Sequence, residues 1–162
     1  MRRGFTLIEL LIVIAVIGIL AVAIISIINP LTQFQKANDS RRKSDLAQIQ
    51  RAFETYYQDY GKFPDSSGYI IAGIGWGLSW MPYMGTLPKD PASPSRNYVY
   101  YSSSDGQTYY LYASLERGGN DPQACNLGNA CTSLGTNGIP TNACASGSII
   151  CNYGVSSPNV SP

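Results

Sequence analysis

One carboxylate interrupts an otherwise apolar stretch of this 162-residue chain. From Phe5 to Ile28 almost every residue is apolar, and Glu9 is the one charge. A carboxylate inside a membrane-length helix costs about 2.5–3.5 kcal/mol on insertion scales, so residues of this kind usually have a partner or a task. The chemistry open to Glu9 is pairing with a positive group. The other reactive side chains are four cysteines, Cys125, Cys131, Cys144 and Cys151, all beyond residue 120. Their clustering in a Gly/Asn/Ser/Thr-rich region of a membrane-directed chain points to disulfides in an oxidising compartment. Four cysteines allow three pairings. Proximity favours Cys125–Cys131 and Cys144–Cys151, with an overlapping pattern also open. Zinc would need closer C-x2-C-like pairs than these. The absence of histidine removes the commonest general base and metal ligand, and leaves no partner for a nucleophilic cysteine. No carboxylate pair at a recognisable spacing and no phosphate-binding glycine loop is present, so the chain does not read as an enzyme.

The elements that must carry these residues follow from periodicity. A helix from Phe5 to Ile28 would be roughly 36 Å long at about 1.5 Å per residue, enough to cross a bilayer. Arg2 and Arg3 should remain on the cytoplasmic side and place the C-terminal bulk outside. A cleaved secretory signal is one alternative, with Ala21-Val22-Ala23 as its cut. It is disfavoured by Glu9 and by the apolar residues that continue past Ala23. A plain single-span anchor is another, but it assigns Glu9 no role. Gly18 inside the run suits close helix packing in lipid. Asn29-Pro30 should kink or break the helix.

Beyond Pro30 the pattern turns amphipathic. Leu46, Ile49, Phe53, Tyr56 or Tyr57, and Tyr60 recur at helical spacing and should pack on a sheet, with Gly61 and Pro64 ending the helix. Arg41-Arg42-Lys43 reads as a solvated face or an intersubunit contact rather than a nucleic-acid site. Trp76 and Trp80, four apart, allow a short helical turn, either as local core under a loop or as a lateral contact surface. Residues 97–101 and 108–115 are rich in β-formers, and Asp105-Gly106 between them signals an antiparallel hairpin. Tyr109, Leu111, Ala113 and Leu115 should face the helix, with Tyr110, Tyr112 and Ser114 pointing away. A lone hairpin is marginal, so a third strand is expected. From Gly118 onward few residues can build a core, which predicts a loop-rich tail. The net charge of +1 recruits no nucleic acid or acidic partner.

Gly4-Phe5-Thr6-Leu7-Ile8-Glu9, with its short basic leader and long apolar helix, resembles the class III signal sequence of type IV pilins and type II secretion pseudopilins. Carried over by position, the resemblance implies cleavage by prepilin peptidase after Gly4 and N-methylation of Phe5. It aligns Glu9 with the family's assembly glutamate, five residues into the mature chain. Cleavage would remove Arg2 and Arg3 and create a positive amine at Phe5, which Glu9 of a neighbouring subunit could face. Leu87-Pro88-Lys89-Asp90-Pro91 followed by Tyr98 and Tyr100 resembles a stretch of major pseudopilins. Some of those bind calcium in loops after their strands. Here Glu116, Asn120 and Asp121 offer oxygens in such a place, but calcium wants six to eight and no dense carboxylate loop exists. No metal and no cofactor are expected.

The fold expected is α+β and pilin-like, a long N-terminal helix packed on a small antiparallel sheet. Its segments are a leader at 1–4, a membrane or filament-core half-helix at 5–28 and an amphipathic half at 29–61. A head with the hairpin at 62–117 and a cysteine-containing tail at 118–162 follow. The function this implies is a structural subunit of a type IV pilus-like filament, first in the cytoplasmic membrane and then at the cell surface. It would be a homo-oligomer served by prepilin peptidase and an assembly machinery. A type II secretion pseudopilin, and a solitary anchored binding protein with a tyrosine-rich surface, are the alternatives.

Overall fold

Aliphatic residues without a polar face and a later amphipathic stretch become two helices. The computed structural model describes residues 4–27, 29–145 and 147–162, with backbone alone for 25–27. Arg2 and Arg3, on which the expected orientation rests, and Ile28 lie outside the described residues. The chain divides into two units, Met1–Phe34 and Gln35–Pro162.

In the first unit α1 spans Leu7–Ile27, and its side chains through Ile24 are all exposed. Residues 7–24 are long and apolar enough to cross a membrane. A helix apolar all round must be buried in lipid or in protein. The chain restarts as α2, Pro30–Tyr60, with the geometry of a true helix start. Asn29 Oδ1 accepts from Thr32 N at 3.3 Å and Asn29 O accepts from Gln33 N at 3.4 Å. Asn29 is thus the cap, and Pro30 takes the first-turn position where its missing N–H is harmless.

The second unit is built on α2. Leu46, Ile49 and Phe53 are fully buried, as their spacing predicts. Tyr56 and Tyr57 are half-buried, and Tyr60 lies at the exposed end. The helix stops at Gly61, whose φ of 67° is left-handed. A small ribbon follows, β1 (Ser66–Ser67) against β2 (Ile70–Ile71). The main sheet has the order β3-β4-β5, all antiparallel: Val99–Ser102, Tyr109–Ala113 and Tyr153–Ser156. Val99 pairs with Tyr112 and Ser102 with Tyr109. The hairpin turn needs Gly106, which has φ 67° and whose added Cβ would lie 2.9 Å from Lys62 Cβ.

One face of this sheet meets α2. Phe53 sits among Tyr100, Tyr109 and Trp80, with ring centroids 4.9, 4.9 and 5.8 Å away. Tyr109, Leu111, Ala113 and Leu115 share that core. Trp80 belongs to it as well, and Trp76 packs edge-on against Tyr98 at 5.7 Å. The segment carrying both tryptophans is a series of turns, with Trp80 bridged to Met84, rather than a helical turn.

The opposite face is covered by the tail. Val99 and Tyr112 pack against Cys131, Leu134, Ile139, Cys144 and Cys151 in a second core. The tail is therefore more than a loop: it supplies the short helix α3 (Thr132–Thr136), this second core and β5. Disulfides join Cys125 to Cys131 and Cys144 to Cys151.

Candidate functional site

Gly4, Phe5 and Thr6 precede α1 without helical structure and are exposed. No atom lies within 4 Å of where a Gly4 Cβ would be, so the Gly4–Phe5 peptide is uncrowded. Thr6 is the residue before α1. Its backbone N–H and its hydroxyl both donate to Glu9 Oε2, at 2.9 and 2.7 Å. Glu9 N–H donates back to Thr6 Oγ1 at 3.3 Å. This is a capping box, in which Thr and Glu three apart satisfy the first free N–H groups of a helix. Thr-x-x-Glu was legible in the sequence and gives Glu9 a local role beyond any pairing between subunits. One carboxylate oxygen is spent in this way. Glu9 Oε1 has no hydrogen-bond partner among the described residues, and Glu9 is exposed.

The second polar constellation lies within the head, and its centre is a correction. Arg42 was expected on a solvated or intersubunit basic face; it is fully buried. Its Nε and Nη2 hold Asp90 as a fork, at 2.8 and 3.1 Å. Nη1 reaches Asp39 Oδ1 at 2.9 Å and Glu116 Oε1 at 3.0 Å. Asp39 also accepts from the backbone N–H groups of Glu116 and Arg117 at 2.8 and 2.9 Å. Burial opposes the charge on Arg42, but hydrogen bonds and attraction from Asp90, with those from Glu116 and Asp39, hold its pKa above the usual value. One guanidinium thereby ties α2 to the loop before β3 and to the segment after β4. Charged buried groups persist only when paired this completely.

The same geometry explains the 87–100 stretch. Leu87 is core, Asp90 receives Arg42, Tyr98 donates to Asp45 Oδ2 at 2.7 Å, and Tyr100 donates to Pro64 O at 2.6 Å. Burial pushes the Asp45 carboxyl up. Asp90 reinforces that shift, while the Tyr98 hydrogen bond and Arg41 oppose it.

Two of the three residues considered for calcium, Glu116 and Asp121, have other partners. Glu116 Oε1 takes Arg42 and Asn38, and Asp121 Oδ2 takes Lys43 Nζ at 2.5 Å. Lys43 also reaches Gln123 Oε1 at 2.9 Å and lies 5.6 Å from the Tyr153 ring centroid. Among the described residues no group of three or more His, Cys, Asp or Glu could hold a metal ion. Sequence reasoning missed Asp39, Asp90 and Glu116 as one cluster, because Arg42 meets two of them across long stretches of chain.

Known proteins resemble this chain at its N-terminus and along much of its length. Residues 1–25 match the family model described as the prokaryotic N-terminal methylation motif. The chain is 29% identical to the type II secretion system core protein G of Vibrio cholerae, over 79% of this chain and 91% of that protein. It is 28% identical to the core protein G of Escherichia coli, over 74% of this chain and 78% of that one. The protein of the same name from Dickeya chrysanthemi is 26% identical, over 72% of each chain. No solved structure matches the chain.

Proposed function

This chain belongs to the type IV pilin and pseudopilin family, and on that premise we propose that it is a structural subunit of an extracytoplasmic helical filament. The observation that carries the reading is α1: exposed on every side through Ile24, opened by one carboxylate, and preceded by an uncrowded Gly4–Phe5 peptide. Such a helix is held by lipid in the precursor and by neighbouring helices in the filament. Prepilin peptidase removes residues 1–4, and the amine created at Phe5 is methylated. Glu9 Oε1, left over from the capping box, faces the Phe5 amine of the next subunit. Breaking one partner of a buried ion pair costs about 3–5 kcal/mol, so this pair sets register more than it adds net stability. The role is architectural; the mature subunit leaves the membrane for the cell surface and works as a homo-oligomer.

Within the family, the names of the curated relatives support a type II secretion pseudopilin. The disulfide-closed tail that covers the sheet favours a surface pilus. Imaging of filaments shed by the native cell separates these: long fibres support a pilus, and their absence a pseudopilin. The assembly role itself is tested with Glu9→Ala. Membrane insertion and leader removal stay intact while filament yield collapses. Normal filaments from that variant would refute the role.

A further inference from the structure

A cavity of about 270 Å³ opens in the head between α2 and the segment after β4. Lys36, Asp39, Ser40 and Lys43 line it from α2, at the three- and four-residue spacings that share one helix face. Arg117, Asn120 and Asp121 line it from the other side. That side is held in place by Asn152, whose Oδ1 accepts from Leu115 N–H at 2.7 Å and whose Nδ2 donates to Leu115 O at 3.2 Å. Gly118 passes so close to Asn152 that an added Cβ would collide with its amide.

The two carboxylates of this lining are already occupied. Asp39 Oδ1 accepts from Arg42 Nη1 and from Glu116 N–H, and its Oδ2 from Arg117 N–H. Asp121 Oδ2 accepts from Lys43 Nζ, and its Oδ1 from Gln123 N–H at 2.9 Å. The donors are in the opposite condition. Among the described residues, the Lys36 ammonium, the Ser40 hydroxyl, the Arg117 guanidinium and the Asn120 amide nitrogen have no hydrogen-bond or ion-pair partner. The cavity therefore offers spare donors and spare positive charge, and no spare carboxylate oxygen.

We propose that this cavity binds the phosphate of an anionic phospholipid in the bilayer that holds α1. The inference rests on the reading of α1 as a membrane span. The lining selects the anion: a phosphate gains charge-assisted bonds from Lys36 and Arg117 and strands no carboxylate. The course of the chain selects the lipid. The apolar run ends at Ile28, and Lys36 follows eight residues later, about 12 Å at helical rise. Headgroups extend about 5–7 Å beyond the hydrocarbon, and a lysine stem snorkels toward them. Leu31 and Phe34, 64% and 69% exposed, carry apolar surface up to that point. The exposed charges of α2 run Lys36, Arg41, Arg51, Glu54 and Asp59, so its cations come first after the span and its acids last. Anionic lipid attracts cations placed in that order. The bound headgroup gives the subunit a second attachment to the bilayer, released when the subunit leaves it for the filament.

The test uses full-length, ¹⁵N-labelled chain in zwitterionic micelles, titrated with dioctanoyl-phosphatidylglycerol and followed by the amide shifts of Ser40 and of residues 117–121. Saturable shifts confined to those amides are expected. Lys36→Gln and Arg117→Gln should each weaken binding about fivefold, and together about twenty-fivefold. Neither side chain has a partner to lose, so the thermal midpoint should not move. Arg51→Gln, an exposed cation of the same helix outside the cavity, should bind as wild type. Equal weakening by Arg51→Gln, or no weakening by the double variant, would reduce the effect to diffuse surface charge and overturn the proposal. So would an equal response to dioctanoyl-phosphatidylcholine, to inorganic phosphate at the same concentration, or to a tetraglutamate peptide, which stand for a charge-blind lipid contact, a free-anion site and a protein carboxylate. Alkaline carbonate extraction of native membranes tests the span separately. Release of the chain there would sink the membrane reading and this inference with it, whereas a silent titration sinks this inference alone.

Discussion

Replacing Arg42 with alanine should damage the head far more than a helix-surface substitution. Arg42 is fully buried and holds the carboxylates of Asp39, Asp90 and Glu116. Its loss strands Asp90, whose side chain is 0% exposed, and Asp39, at 6%. Orphaning one side of a buried ion pair costs about 3–5 kcal/mol, against a typical total of about 5–15 kcal/mol. With a urea slope of about 2 kcal/mol/M, a loss near 4 kcal/mol moves the unfolding midpoint down by roughly 2 M. The measurement is urea unfolding of full-length chain in detergent, followed by near-UV circular dichroism, which reads the packed aromatic core around Phe53 and Trp80. Adding Asp39→Asn and Asp90→Asn to Arg42→Ala should recover part of the loss, because the stranded charges are then gone. A midpoint shift below about 0.3 M for Arg42→Ala, or no recovery in the combined variant, would refute the description of Arg42 as the tie between α2, the 87–91 loop and the segment after β4.

Asp45 provides a test of opposite sign. Its carboxyl is raised in the fold by burial and by Asp90, so the folded state binds the proton more readily than the unfolded chain. Its ionisation therefore costs stability as pH rises through the folded pKa. Asp45→Asn, which keeps an acceptor for Tyr98, should be neutral to stabilising at pH 7, with the advantage vanishing in acid below the ordinary aspartate range. A variant destabilised at pH 7 would contradict this. Removing Cys144 and Cys151 together, as alanines, should cost about 2.5 kcal/mol on the chain-entropy account of a short loop. Amide exchange should rise from Cys131 to Asn152 while the central amides of α2 stay protected; uniform loosening would show that the second core is not a separate layer.

Much of the head was legible because the signals are local. Leu46, Ile49 and Phe53 report a helix face by spacing alone, and Asp105-Gly106 reports a hairpin turn. The N-terminal motif is local as well, since Gly4, Phe5 and Glu9 are read within six residues. Even the Thr6–Glu9 capping box was available to a reader of that spacing. Arg42 was not legible. A basic triplet on a helix ordinarily faces water, and the reason for its burial is supplied by Asp90 and Glu116, 48 and 74 residues away. The second core was hidden by composition. Leu134 and Ile139 are sparse among glycine, asparagine and serine, and the four half-cystines supply apolar surface that a hydrophobic pattern does not count.

Assembly through Glu9 depends on cleavage at Gly4–Phe5, and the mass and N-terminal sequence of the mature protein test that cleavage most directly. A chain beginning at N-methylated Phe5, shorter by residues 1–4, is the predicted result. A chain beginning at Ile24, which would have lost Glu9, or one that retains Met1, in which Glu9 has no new amine to meet, would contradict it.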